Sequence, residues 1–428
     1  MKAGLSVLDQ AVVSATNFLT SLLLARICTP DEYGAFVIAL SILLFLNGLQ
    51  ASIICGPMMV IGAAKTGDER NGYFKALFTG QLILSLAIMT AVFLALAVSG
   101  VIGNEMRFWN NAFLMMGIVI PFVQVQEFFK RMLITSLSMG KALAIDLVLA
   151  VVQLGLIFGL WRYGNIDLLI DGAGILSAGT ALASIGIATT ASAIFALWLT
   201  RGFLRSRVVD FWKQIQETFA YGKWLLGTHF GGIGFSQATL WAAGIIGGHV
   251  ATANVEATRL MIAPAQIMLF AGGNFMTPFL SEQFSRGGKE LVFVQMKKII
   301  PLWTSFFFSY ALVIVLFGEE MLDLLFNEKY TGVASILTMW MLVYVGTAMK
   351  QLPGTMLIAM KRPDIGMMVT LSVGAVTTLL TVWFMSLGGE MWAVFARFVG
   401  EVLLFATFFF FVYKVFYRRK SKVIKSQV

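Results

Sequence analysis

Residues 24–36 read LARICTPDEYGAF: a proline and two adjacent acids break the chain between two long apolar runs, with one arginine at the edge. A break of this kind suits a surface loop of a soluble domain, the end of a signal peptide, or the turn between two membrane spans. The choice among them sets the fold class of the whole chain.

Composition separates the three. Apolar residues make up 58% of the 428 residues and charged residues 12%, and the mean hydropathy is +0.84. Soluble domains carry about 25% charged residues, so this chain lacks the polar surface to cover a water-exposed globule. Apolar runs recur from end to end, each close to the ~20 residues that cross a hydrocarbon core of about 30 Å. The run from Val7 to Ile27 holds Asp9, Gln10 and Asn17 and is longer than a signal core. It reads as a retained first span.

The chain divides into twelve apolar helices. The first six cover roughly 6–27, 34–61, 76–100, 111–138, 142–161 and 174–200, and the second six roughly 223–247, 251–280, 300–318, 332–359, 365–386 and 391–416. Short connections make neighbours antiparallel. With the N-terminus inside, 22 of the 31 Lys and Arg fall on inside segments, and four (Arg26, Arg107, Arg162, Lys329) fall outside. The net charge of +9 is therefore a topology signal and a contact for anionic membrane lipid, with nucleic acid the weaker reading. Both termini are expected in the cytoplasm.

The expected domains are an N-terminal six-helix bundle (1–200), a connector (201–222) and a C-terminal six-helix bundle with a basic tail (223–428). The connector mixes Arg and Lys with Phe203, Phe211, Trp212 and Phe219, the pattern of an amphipathic helix in the membrane surface. The halves share a faint repeat: RMLITSLSMGKALAIDL (131–147) leaves the fourth span as TMLIAMKRPDIGMMV (355–369) leaves the tenth. Chance similarity of two apolar segments is the competing explanation. Parallel repeats in transporters place the substrate path between the halves.

Five of the basic residues lie inside spans, where charge is costly. In the fourth span Gln124, Glu127, Arg131, Thr135 and Ser138 recur at spacings of three and four and share one stripe. A water-lined cavity suits the stripe; the alternative is a polar seam between helices, with Lys130 and Arg131 reaching to the inner headgroups. The first span repeats the pattern with Gln10, Ser14, Asn17 and Ser21, of which Asn17 is the informative member. In the eighth, Glu256, Arg259 and Gln266 share a face, Glu256 and Arg259 pair at i, i+3, and Pro264 is expected to bend the helix. Lys350 and Gln351 precede Pro353-Gly354 in the tenth span, and Arg397 and Glu401 form an i, i+4 pair in the twelfth. Asp9 and Asp146, near helix ends, are expected to be solvated there. The candidate cavity residues are thus Arg259, Lys350, Arg131, Glu127, Asn17, Gln124, Glu256 and Gln351.

No catalytic constellation emerges. His229 and His249 belong to no Cys/His/carboxylate cluster at metal-ligand spacing, and there is no GxxxxGK[ST]. The glycine-rich stretch 231–248 suits close helix packing. Cys28 and Cys55 are separated by about 30 Å of helix, beyond disulfide reach. No enzyme activity, cofactor or metal is expected, so any active transport draws on an ion gradient, the membrane potential or the substrate gradient.

Three stretches carry a family resemblance. LARICTPDEYGAF resembles the first outer turn of polysaccharide flippases of the multidrug/oligosaccharidyl-lipid/polysaccharide (MOP) exporter superfamily, which include Wzx-type O-antigen flippases. QEFFKRMLITSLSMGK (126–141) is similar to their fourth-helix exit, and FGEEMLDLLFNEKYTGVASIL (317–337) to their ninth-to-tenth connection. The resemblance implies two six-helix bundles around a central cavity that opens alternately to each side of the cytoplasmic (inner) membrane. It implies a polyprenyl-pyrophosphate-linked oligosaccharide as cargo, with a polysaccharide polymerase and glycosyltransferases as partners. Arg259, Lys350 and Arg131 would attract the anionic cargo. Many relatives carry an acidic residue in the seventh span where this chain has Ala238-Thr239-Leu240-Trp241. The drug-efflux branch of the superfamily, with Glu127 as its coupling carboxylate, is the alternative.

Overall fold

A computed structural model describes residues 2–102, 107–163, 177–208, 210–326, 329–330, 332–360 and 362–417. The described residues are almost all helical, with no strand among them. The chain forms two compact units, residues 1–230 and 231–428. Lys361 and the basic tail from Arg418 onward, used above for orientation, lie outside the described residues.

The first unit holds α1 (Lys2–Ile27), α2 (Pro30–Gln50), α3 (Gly56–Ala64), α4 (Gly67–Ile102), α5 (Arg107–Thr135), α6 (Met139–Tyr163) and α7 (Ala178–Thr200). A π-helical turn, Ala51–Cys55, joins α2 to α3 into one span. α5 packs on α7, α4 and α2, and α6 packs on α1 and α7. The expected connector is divided between a 3-10 turn, Arg201–Arg205, and the opening turns of α8 (Phe211–Ala242), inside which the unit boundary falls. Phe203 from that turn meets Phe78 and Phe129 edge-on in the aromatic core between α4 and α5, which also holds Phe128.

The second unit continues with a π turn, Ala243–Gly247, then α9 (Gly248–Leu260), α10 (Ala263–Phe326), α11 (Ala334–Ala359), α12 (Pro363–Gly388) and α13 (Glu390–Tyr417). The expected bend at Pro264 is a full break at Met261–Ile262 just before it. Proline suits the first turn of the helix that follows, where its missing N–H is no loss. α10 merges the eighth and ninth spans across Gly287 and Gly288, the latter at φ 66. α11 is the middle helix, packed on α10 and α13, and α13 also packs on α12.

Among the described residues nine helical segments are long and apolar enough to cross a membrane. The expected spans outside that set correspond to α8, to α9 with the start of α10, and to α11. Glycine, histidine and charged side chains interrupt these, as Lys350-Gln351 do in α11.

The repeat seen in the sequence has a structural counterpart. Aligned on Met-Leu-Ile, both copies close with the same bond: the Ser138 N–H donates to Leu133 O, and the Arg362 N–H to Leu357 O, each at 2.9 Å. This is the six-to-one bond of a Schellman helix end. In the first copy the position before the donor, Leu137, has the left-handed φ of 55 that this cap requires.

LARICTPDEYGAF does more than turn the chain. Thr29 is extended and its hydroxyl accepts from the Glu32 N–H at 3.3 Å, so α2 starts at Pro30. Glu32 then reaches across the unit, and its Oε2 accepts from the Ala178 N–H at 2.6 Å. A carboxylate at a helix N-terminus satisfies a donor that hydrocarbon cannot and complements the helix dipole. Ser177 and Thr180 complete the start of α7 as a capping box. The first turn of α2 stays at the surface, with Thr29 and Asp31 exposed, and the stretch Tyr33–Ala39 that follows is buried on all sides. Glu32→Ala is expected to cost about 1–2 kcal/mol and lower the Tm of the purified protein, with Glu32→Gln recovering part of the loss.

Candidate functional site

The second unit builds an ionic cluster from three helices. Glu401 of α13 is fully buried, and both its oxygens face cations: Lys350 Nζ of α11 at 2.6 Å and Arg397 Nη2, one turn back on α13, at 2.9 Å. Gly346 makes the approach possible, because a Cβ there would stand 2.9 Å from Glu401 Cβ. Phe235 of α8 completes the cluster. Its ring centroid lies 3.4 Å from the Arg397 guanidinium carbon and 5.0 Å from Lys350 Nζ, and its carbonyl accepts from Arg397. The ring face, negative in its quadrupole, solvates two cations that the carboxylate alone would share.

A second pair lies on α9. Arg259 meets Glu256 through both prongs, Nε to Oε2 at 2.8 Å and Nη2 to Oε1 at 2.9 Å. The i, i+3 pairing expected from the sequence is formed. Glu256 and Glu401 are buried, whereas the Arg259 and Lys350 side chains keep 29% and 20% of their surface open. The cations are thus the members that another molecule can touch. Gln351, next to Lys350, points elsewhere: its amide donates to Leu269 O at 2.9 Å across the space left by Gly273. It fastens α11 to α10.

In the first unit the stripe of α5 divides along its length. Gln124 is buried and engaged on every side. Its Oε1 accepts from Ser85 at 2.7 Å and Gln81 at 3.3 Å, its amide donates to Leu46 O, and its backbone oxygen accepts from Gln50 at 2.7 Å. That end of the stripe is a seam joining α2, α4 and α5. One turn on, Glu127 and Arg131 form an i, i+4 pair at 2.5 Å, with the Arg131 side chain 39% open. Thr135 donates back to Arg131 O, and Ser138 lies beyond the helix. On α1, Gln10 and Asn17 lie on the exposed face, while Thr16 and Thr20 on the buried face hold the helix in the unit; Thr20 accepts from Gln153 of α6 at 2.9 Å.

Two residues differ from their expected state, and a third from the alternative weighed for it. Lys130 does not extend to the headgroups, and Asp9 and Asp146 are not solvated at helix ends. All three are buried together: Lys130 bonds Asp146 of α6 and lies 3.5 Å from Asp9 of α1, and Gln126 donates to Asp146 at 3.3 Å. The physical reason is packing. α1 and α6 cover the flank of α5 on which Lys130 sits, so its ammonium meets carboxylates before it can reach water.

His229 is the other residue that spacing alone could not place. Its ring stacks on Phe45 at 5.7 Å, and its Nε2 lies 3.1 Å from Phe45 O. The ring occupies the space over Gly48, where a Cβ would fall 1.8 Å from Cε1. The histidine and the nearby π turn dock α8 on α2, and the glycine at 48 was the available signal. Among the described residues no group of His, Cys, Asp or Glu could hold a metal ion.

Known structures share this fold. A multidrug resistance MATE family transporter of the MOP superfamily, in an inward-facing conformation, superposes with a TM-score of 0.71 at 14% identity, covering 96% of each chain. The lipid II flippase MurJ in an inward closed conformation gives 0.64 at 12% identity, over 95% of this chain and 87% of that one. A MOP superfamily transporter from Pyrococcus furiosus, described as having a binding pocket of reversed polarity, gives 0.59 at 14% identity, over 95% and 93%. No protein-family model and no curated protein matches the sequence. The chain has the fold of MOP superfamily transporters.

Glu401→Ala leaves Lys350 and Arg397 without their buried carboxylate and is expected to cost about 3–5 kcal/mol. Lys350→Met should cost less, because Arg397 still neutralises the carboxylate. The double variant Glu401→Gln/Lys350→Met should be more stable than the sum of its parts, read by thermal melts of all four proteins in a double-mutant cycle.

Proposed function

We propose that this chain is an alternating-access flippase that moves a polyprenyl-pyrophosphate-linked oligosaccharide, or a related polysaccharide intermediate, across the cytoplasmic membrane. The observation that carries the reading is the charge of the second unit's cluster. Arg259, Lys350 and Arg397 stand against two carboxylates, Glu256 and Glu401, and the open members are Arg259 and Lys350. An excess cation inside a span is expensive unless something anionic completes it. A pyrophosphate does so with oxygens suited to a guanidinium fork and an ammonium. The fold supports the reading, since one of the proteins sharing it is a lipid II flippase.

In this mechanism the cargo's pyrophosphate draws Lys350 and Arg259 partly away from their carboxylates, and Phe235 keeps Arg397 in place. Arg131 takes the same role in the first unit, and Asn17, with Gln10 on the exposed face of α1, offers hydrogen bonds to sugar hydroxyls. Gln124 and Gln351 hold helices in position. The termini lie in the cytoplasm, where glycosyltransferases supply the cargo, and a polymerase receives it on the far side.

A second reading, a cation-coupled exporter of small molecules, draws on the first unit. There Asp9, Glu127 and Asp146 outnumber Lys130 and Arg131, and a carboxylate excess suits a coupling proton. Several proteins with this fold are MATE transporters.

The two readings separate in cells. Arg259→Ala and Lys350→Ala, each expressed to the wild-type level, are expected to lower surface glycan at least tenfold and to accumulate the lipid-linked precursor. Normal glycan in both variants removes them from the mechanism. Resistance to cationic drugs that depends on Glu127 or Asp146 would establish the exporter instead.

A further inference from the structure

A cavity of about 750 Å³ opens in the first unit, away from the ionic clusters. Two chain segments line it: 65–72, between α3 and α4, and 202–217, from the 3-10 turn into α8. It lies at the helix ends that the sequence assigns to the Lys- and Arg-rich side of the membrane. Its size suits a small-molecule or headgroup site.

The walls are held by contacts that do not use the lining charges. Tyr73 and Thr218 hydroxyls meet at 3.0 Å behind it, and Lys75 donates to Ser206 O at 3.2 Å. Gly72 lies directly under Arg207 O, which a Cβ would approach to 2.4 Å. These ties pin the two segments together and keep the cavity from collapsing.

The lining is electrically mixed. Lys65 and Glu69 pair with each other at 2.5 Å. Arg205, Arg207 and Lys213 remain as cations and Asp68, Asp210 and Glu217 as carboxylates, and among the described residues no salt bridge joins any of these six. All six are exposed around the cavity, so it presents both signs of charge to a ligand that carries both at once. The phosphate of such a ligand would meet the Arg and Lys groups, and its primary ammonium the carboxylates, each through charge-assisted hydrogen bonds. Trp212 beside Lys213 is 73% exposed, with Phe211 packed edge-on at 5.3 Å. Aromatic side chains of this kind anchor at the headgroup level of a bilayer.

We propose that this cavity is a binding site for the headgroup of an amine-bearing zwitterionic phospholipid of the phosphoethanolamine class. The site is independent of the flippase reading. It uses neither Lys350 nor Arg259, and its occupant is a bilayer lipid and not the transported cargo.

The test uses the full-length protein in nanodiscs of mixed phosphatidylethanolamine and phosphatidylglycerol, with retained lipid counted by native mass spectrometry after release. Retention of phosphatidylethanolamine over phosphatidylglycerol by about tenfold, ~1.4 kcal/mol, is expected. The double variants Arg207→Ala/Lys213→Ala and Asp210→Asn/Glu217→Gln should each abolish the preference. The first removes the phosphate contacts and the second the ammonium contacts. Equal retention of the two lipids overturns the proposal, and so does retention of phosphatidylglycerol over phosphatidylethanolamine, which simple attraction to anionic lipid would produce. A preference unchanged in both variants overturns it as well. Binding of soluble phosphoethanolamine without retention of the lipid overturns the lipid assignment. If either variant fails to fold, Arg205→Gln, on an exposed residue, replaces it and should weaken the preference by a few-fold.

Discussion

A carboxylate that cannot reach water organises the second unit. Glu401 is buried within a mostly apolar helix, and an ionised carboxylate there is stable only with partners at contact distance. One partner, Arg397, comes from its own helix. The other, Lys350, has to come from α11, which brings α11 and α13 together at Gly346. Phe235 adds α8 by holding the two cations on its ring and carbonyl. Four elements of local chemistry therefore require one packing arrangement, and that arrangement leaves Lys350 with an open edge.

The first unit meets the same constraint with the opposite sign. Lys130 is the buried cation there, shared by Asp9 and Asp146 from two other helices. Within the spans, carboxylates exceed cations in this unit, and cations exceed carboxylates in the other. The two units thus share a helical plan and a repeated helix ending at Leu133 and Leu357, yet differ in the polarity of their interiors.

Polar groups also do plain structural work in both units, and exposure separates the two roles. Gln124, Gln351 and Glu32 spend their hydrogen-bonding capacity on backbone and neighbouring amides of other helices. In hydrocarbon, an unpaired N–H or C=O costs several kcal/mol, so each such bond fixes a helix position. Arg259, Lys350 and Arg131 pair with a carboxylate and still keep open surface. Sequence periodicity put Gln124 and Arg131 on one stripe but could not tell them apart, because it reports the face of a helix and not what lies against that face.

What the sequence determined by itself was everything governed by local length and composition. Apolar runs of about twenty residues make long apolar helices, nine of which among the described residues are long and apolar enough to cross a membrane. The intrahelical pairs Glu256–Arg259 and Arg397–Glu401 follow from a spacing of three or four, whereas α2 starts at Pro30, four residues before the expected 34. Tertiary structure decided the contacts between helices. It took Lys130 from the headgroups to Asp9 and Asp146, joined Lys350 to Glu401, and sent Glu32 from the first outer turn to the start of α7, 146 residues away. The reason is physical. A helix's own geometry brings together side chains one turn apart, but which cation meets which carboxylate across two helices depends on their relative rotation and depth, set by close contacts such as Gly346 against Glu401 and Gly48 against His229.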